Sequence, residues 1–412
     1  MADRTPPRRS VLRSLAALGT VGVAGCTTRA GPDSSGSHGT TEPETTEYEP
    51  ERWWPRPRRD PANTARAPAE AAPAATDLSR EWVYSTRNDG MQMPLVRGDT
   101  LVASAQSPNG DVFGLHSGTG DERWASRSQS LLASEPAIVS GSVFAVWSDR
   151  WTTVSIETVH GELSPPSVSV GSANLLRPIG ETLVLGGNTS EGYEVLAAAP
   201  GESAPAWRVQ LPFEWGDITD VARRDGVVYV AAVEYQRDTT SGPGSITAID
   251  AQTGESIWDW EQEGDTSFVN LGVGRDQVCV TTAANVIALD REDGSPTWSL
   301  DRTIQGVYPA IDTDRVYVGD GTEFVARDKS SGEVVWETEL NSRGFKPSIG
   351  GDTVYVTSRG VGDAPYTLRA LDASTGEVLF RTAFGDAPLS APVIAAGAVF
   401  VGVGNGTVQK FS

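Results

Sequence analysis

The sequence predicts an all-β protein: an eight-bladed β-propeller of four-stranded antiparallel blades, with the ring closed by N- and C-terminal strands. Three observations predict it. First, one short cassette recurs. Ile246-Thr247-Ala248-Ile249-Asp250, Gly254 and Trp258 return as Val286-Ile287-Ala288-Leu289-Asp290, Gly294 and Trp298. The cassette returns again with Asp328, Gly332 and Trp336, and then with Asp372, Gly376 and Phe380. Second, the spacing is fixed: Asp to Gly is four residues and Gly to the aromatic is four more. A period of about 40 residues built from strands and tight turns specifies a propeller or a solenoid array. Third, the last repeat lacks its closing aromatic strand, while Glu81-Trp82-Val83-Tyr84 near the other end is such a strand without a cassette before it.

Each part of the cassette has a physical reason. The run before Asp alternates apolar and polar residues and is β-branched, so it is a strand. The Asp side chain bonds backbone N–H groups two residues on, and Gly accepts positive φ, so the middle is a turn. The residues after Gly form the next strand, and its aromatic needs burial. A Trp removes about 150–250 Å² from water, roughly 4–6 kcal/mol gross at ~25 cal/mol per Å². A single small sheet cannot hide that surface, so Trp82, Trp124, Trp207, Trp258, Trp298, Trp336 and Phe380 are read as pegs between neighbouring blades.

Each cassette is preceded by another strand, such as Val227–Val230 or Val354–Val356, and before that by a shorter strand often opened by Pro (Pro94, Pro136, Pro178, Pro309, Pro347, Pro392). With the Pro-less starts at Thr219–Val221 and Asn270–Val273 there are eight starts. The first three cassettes have His116, Glu157 and Ala197 in place of Asp, followed by Gly120, Gly161 and Gly201. The second has no aromatic after its Gly. The expected organisation is an export signal over 1–25, a Thr/Glu/Pro/Gly-rich disordered tether over 26–52, an irregular lead-in over 53–77 and the propeller over 78–412. One domain is expected, because about 330 residues of repeat share one stacked core.

The opening residues resemble an address. Arg8-Arg9-Ser10-Val11-Leu12-Arg13 resembles a twin-arginine export motif, with Val and Arg where Phe and Lys are usual. Leu15–Ala24 is apolar but short for a membrane span. Val23-Ala24-Gly25-Cys26 resembles a lipobox, so Cys26 is the expected lipidation site and the outer face of the cytoplasmic membrane the expected location. Residues 26–50 hold too few apolar side chains to fold. The chain carries a net charge of −21, and Lys329, Lys346 and Lys410 are its three lysines. Such a surface repels nucleic acid and anionic lipid and resembles the proteins of extreme halophiles. Cys279, in an alternating strand, reads as a buried apolar residue, leaving no disulfide. His38, His116 and His160 are far apart in sequence, and no zinc spacing, phosphate loop or Gly-x-Ser-x-Gly is present.

The Ala-x-Asp-x-x-x-Gly-Glu-x-x-Trp cassette resembles the pyrroloquinoline-quinone (PQQ) enzyme repeat, and Trp54-Pro55 with Arg59-Asp60-Pro61-Ala62-Asn63-Thr64 resembles the start of secreted haloarchaeal members. The resemblance covers about residues 53–412. It implies two classes. Quinoprotein dehydrogenases hold PQQ and Ca²⁺ over the central channel, with a catalytic Asp and often adjacent cysteines; none of these could be placed on this chain. The other class is a lipid-anchored binding module like the lipoprotein subunit of the bacterial outer-membrane β-barrel assembly machine. The expectation is therefore a non-catalytic, monomeric, surface-anchored scaffold that binds an extracytoplasmic protein or a glycan, without a cofactor or metal, the alternative being a PQQ-dependent dehydrogenase-like protein.

A ligand would bind at one mouth of the channel. Residues just before the innermost strands should ring that mouth: Met93, Glu135, Arg177, Asn270, Tyr308, Lys346 and Ala391. Arg177, Tyr308 and Lys346 are expected to form a basic, aromatic patch, with Glu135 and Asp220 as possible ion-pair partners. The connectors of the same face add Phe213, Trp215, Phe268, Arg343 and Phe345.

Overall fold

The computed structural model describes residues 53–54, 56–107, 110–128, 130–148, 154–168, 172–189, 192–213, 216–235, 241–301 and 308–412. Arg8, Arg9, Cys26 and Trp215 lie outside them. Eight sheets follow one another along the chain. Blade 1 comprises Leu95–Arg97, Thr100–Ser107, Asp111–His116 and Glu122–Ser126, blade 2 Ala137–Val139, Ser142–Ser148 and Val154–His160. Blade 3 spans Ser172–Gln210, blade 4 Gly216–Thr266, blade 5 Val269–Asp301, blade 6 Ala310–Glu339 and blade 7 Ser342–Ala383, each as four strands paired in chain order. Blade 8 takes Val393–Ala395, Ala398–Val403 and Thr407–Phe411 from the C-terminus and Arg80–Ser85 from the N-terminal side. The ring is therefore closed by strands from both ends, and no long edge is left at the join. Val393–Ala395 of blade 8 touches Leu95–Arg97 of blade 1.

Middle strands are buried on both faces because a blade lies on each side. Ala398–Val403 is buried at every position, whereas the outer strand Pro296–Asp301 is exposed at alternate positions. Blade 2 departs from the pattern. Its meander has three strands, and a short strand, Leu131–Leu132, pairs with Ser142–Ser148 instead.

The cassette works as a socket. At five of the seams the aromatic of one blade lies over the turn Gly of the next. A Cβ on Gly332 would sit 2.8 Å from the Trp298 ring, and one on Gly376 would sit 2.5 Å from Trp336. Trp82 covers Gly120, Trp207 covers Gly254 and Trp258 covers Gly294 in the same way. The indole N–H donates to a carbonyl of the turn it covers: Trp207 to Ala251, Trp258 to Arg291, Trp298 to Lys329 and Trp336 to Ala373, at 2.8–3.1 Å. Trp82 donates to Ser117 at 3.3 Å. Trp124 instead stacks on His160 of blade 2, centroids 4.6 Å apart. Phe380 packs, partly buried, on the core shared with blade 8. Blade 2 has no peg to offer, and nothing lies within 4 Å of a Cβ placed on Gly201 of blade 3.

The turn carboxylates act locally. Asp250 Oδ1 accepts from the N–H groups of Gln252 and Thr253, Asp328 from Ser330 and Ser331, and Asp372 from Ser374 and Thr375, while Asp290 accepts from Glu292. In blade 1, His116 Nδ1 accepts from Gly118 and Thr119 and so reproduces the carboxylate's pattern with a ring nitrogen.

Candidate functional site

The innermost strands of a propeller leave one edge facing the axis, with N–H groups that need acceptors. Here the lead-in supplies them. Trp53–Trp54 pairs antiparallel with Arg97 and Val96 of blade 1. The chain then crosses the axis and offers successive carbonyls to successive blades: Pro61 to Arg223 of blade 4, Ala62 to Val273 of blade 5, Thr64 to Ile311 of blade 6 and Ala65 to Ile349 of blade 7. Arg66–Ala67 pairs parallel with Ile349–Gly350, and Ala71 accepts from Gly397 of blade 8. Four non-glycine residues of this stretch, Arg58, Arg59, Asn63 and Ala65, have φ between 54° and 69°. Each left-handed residue costs roughly 1–2 kcal/mol, so the surroundings must hold the path in place.

Three side chains do much of that holding. Arg56 donates to the carbonyls of Pro178 and Val221 and to Asn63 Oδ1. Arg58 donates to the carbonyls of Leu271, Asn63 and Pro309 and pairs with Asp220 at 2.9 Å. Asp220 also accepts from Asn63 Nδ2, Val221 N and Leu271 N, so its lone pairs are filled by four donors. Burial pushes Arg56 down to about 9 and also lowers Arg58, which Asp220 partly offsets. Sequence reading missed this cluster. Its signal was two arginines and an asparagine in a stretch rich in Pro and Ala, a poor place for charge unless it is buried against something.

Above this plug, a cavity of about 390 Å³ opens at the channel mouth. Pro57, Arg58 and Ala65 contribute to its lining from the lead-in. Met93, Glu135, Arg177, Tyr308, Lys346 and Ala391 line it from six different blades. Asn270 does not; it is buried beside the plug's blade 5 contacts. Arg177 pairs with Glu135 at 3.1 Å and donates to Ser134 Oγ and the Leu176 carbonyl. Burial opposes charge on Arg177, but Glu135, Asp220 and Tyr308 outweigh it and the net shift is upward. Tyr308 is pushed up to about 12 by burial and by Glu135 and Asp220, and the Arg58 guanidinium lies 5.1 Å from its ring centre. Burial lowers the Lys346 ammonium, with Glu135 opposing.

The aromatic connectors need correction. Phe345 is 1% exposed, lies over Gly319 and meets Phe324 at 5.5 Å, so it fills the seam between blades 6 and 7 rather than facing a ligand. Phe213 is likewise buried, against Tyr193. Phe213 follows the outer strand Trp207–Gln210 and Phe345 lies within the inner strand that starts at Ser342, and each ring is drawn into the nearest seam. Phe268 is partly exposed and lies outside the cavity lining. Cys279 is buried, and burial pushes its thiol up to about 12.

A meander of eight blades sealed by its own N-terminal strand defines the class of protein as an eight-bladed β-propeller. The chain matches the family described as outer membrane protein assembly factor BamB over residues 191–348 and 341–412, and it belongs to that family. Among solved structures it is similar to BamB from Moraxella catarrhalis, with a TM-score of 0.62 and 15% identity over 81% of this chain and 99% of that one. It is similar also to the quinohemoprotein alcohol dehydrogenase ADHIIG from Pseudomonas putida HK5, with a TM-score of 0.66 and 14% identity over 88% and 80%. The computationally designed protein Ika8 gives a TM-score of 0.61 at 15% identity, covering 79% of this chain and 98% of that one. Likeness to an assembly factor, an enzyme and a design alike establishes the fold alone. No curated protein sequence matches the chain.

The mouth does not fit a quinone bound together with a divalent cation. Its two carboxylates, Glu135 and Asp220, are each taken by an arginine. Among the described residues, no group of three or more His, Cys, Asp or Glu is placed to hold a metal ion.

Proposed function

We propose that this chain is a non-catalytic, lipid-anchored cell-surface propeller that acts as a protein- or glycan-binding scaffold. The observation that carries this reading is the commitment of Asp220: four donors saturate it, so it holds the plug in place and has no lone pair left to take a proton from a substrate. Membership of the BamB family supports a propeller that works by holding a partner. The anchor rests on Cys26 behind its lipobox and the export route on Arg8 and Arg9; the partner is an extracytoplasmic protein or glycan.

Two experiments test this. Purified protein incubated with PQQ and Ca²⁺ is expected to retain no quinone absorbance and to reduce no dye with alcohols; turnover would overthrow the scaffold reading in favour of a dehydrogenase. Fractionation of cells expressing Cys26→Ser is expected to move the protein from membrane to medium, and continued membrane attachment would remove the lipid anchor from the proposal.

A further inference from the structure

Charge at the channel mouth is not balanced. Arg58 is matched by Asp220 and Arg177 by Glu135. Lys346 has no carboxylate within ion-pairing distance among the described residues, and its single hydrogen bond goes to the Leu389 carbonyl at 2.9 Å. An ammonium carries three N–H donors, so two remain for the cavity. The Tyr308 hydroxyl, on the same cavity, has no hydrogen-bond partner among the described residues. A cation withdrawn from water without a counter-ion is costly, and here it is one of only three lysines in an acidic chain.

Part of the lining is apolar and adaptable, beside the polar side chains of Gln92, Gln106, Ser348 and Ser390. The chain has three Met, and two of them, Met91 and Met93, line this cavity together with Leu389. Methionine reshapes readily around varied apolar bodies. A volume of about 390 Å³ lies at the lower end of small-molecule sites, about 300–1,000 Å³.

We propose that the mouth cavity binds a small amphiphilic carboxylate, its head on Lys346 with Tyr308 donating beside it, and its apolar body on Met91, Met93 and Leu389. One unmatched positive charge selects a monoanion; a dianion would set excess negative charge against Glu135. This inference goes beyond the scaffold reading and stands without it, since it concerns one carboxylate group held on the axis. The head group belongs either to a free organic acid or to the C-terminal carboxylate of a peptide.

The test is calorimetric titration of the full chain carrying Cys26→Ser, which needs no detergent. The probes are hexanoate against hexanol, and N-acetyl-Leu-Phe as free acid against its amide. At least one acid is expected to bind about tenfold or more tightly than its neutral partner, as a charge-assisted contact requires. A preference confined to hexanoate indicates a free acid, and one confined to the dipeptide indicates a chain end. Lys346→Met is expected to erase the preference, Lys346→Arg to keep it, and Tyr308→Phe to weaken acid binding about threefold or more. Equal binding of acid and neutral partner, no binding of any probe, or an unchanged preference in Lys346→Met would overturn the proposal. Should Lys346→Met fail to fold, Tyr308→Phe decides: unchanged acid binding counts against the site.

Discussion

Gly332 and Gly201 occupy the same repeat position and nearly the same backbone conformation, φ +74° and +80°, but only Gly332 has an indole above it. Replacing either with Ala places an L side chain in the left-handed region, which costs roughly 1–2 kcal/mol. At Gly332 the new methyl would also meet Trp298 Cδ2 at 2.8 Å and Cε3 at 2.9 Å. That ring cannot swing away freely, because its N–H is held by the Lys329 carbonyl at 2.9 Å. Forcing a methyl into such packing adds about 1–3 kcal/mol. Gly332→Ala should therefore cost about 2–5 kcal/mol and Gly201→Ala about 1–2 kcal/mol. In a Trp298→Ala background, the cost of Gly332→Ala should fall to the Gly201→Ala level, a coupling that a double-mutant cycle reads directly. Urea unfolding followed by fluorescence and circular dichroism, at matched slopes, gives these differences. Equal losses for Gly332→Ala and Gly201→Ala, or a Gly332→Ala cost unaffected by Trp298→Ala, would refute the peg-and-socket account of blade docking.

Other outcomes follow from the same contacts. Asp220→Ala leaves Arg58 buried without its partner and should cost about 3–5 kcal/mol, measured as a drop in the urea midpoint; a loss under 1 kcal/mol would mean that the plug does not depend on the pair. Asp99 is held down to about 2, first by its bond to Arg123, and Asp250, Asp328 and Asp372 are lowered by their turn donors. Carboxylates whose pKa is lower folded than unfolded stabilise fully above the unfolded value of about 3.9 and lose that contribution as pH falls through the folded value. Acid unfolding should accordingly set in below about pH 4; a stability profile that is flat from pH 5 to 2 would contradict it. Cys279 should resist alkylation at pH 8 in the folded protein and react once urea unfolds it, and prompt labelling without urea would show that its strand is not buried.

Much of the fold could be read in the chain because the repeat writes out its own docking chemistry. Asp250, Gly254 and Trp258 name a turn, a seat and a peg in nine residues, and Trp82 announced a strand that needed a blade elsewhere. Six of the seven residues expected to ring the mouth do line one cavity, since residues preceding inner strands are placed by the ring's symmetry. What could not be read depends on contacts far apart in sequence. Arg58 and Asp220 are separated by 162 residues, and no local pattern marks them as partners. Phe345 misled for a related reason: an aromatic in a connector looks exposed until the neighbouring blade's Gly319 offers it a seat. His116 shows the reverse, a lost Asp whose role survives because an imidazole nitrogen accepts the same two N–H groups.

The carbonyl rail of the lead-in has a consequence for the order of assembly. Residues 61–71 come near the start of the chain, but the N–H groups they serve run from Arg223 to Gly397. The purse-string cannot be fully seated until blade 8 has formed, because its last eyelet is the N–H of Gly397. Drawing it tight is therefore a late event, possible only once the whole wheel is present. A segment that precedes the wheel is thus the last to be locked into it.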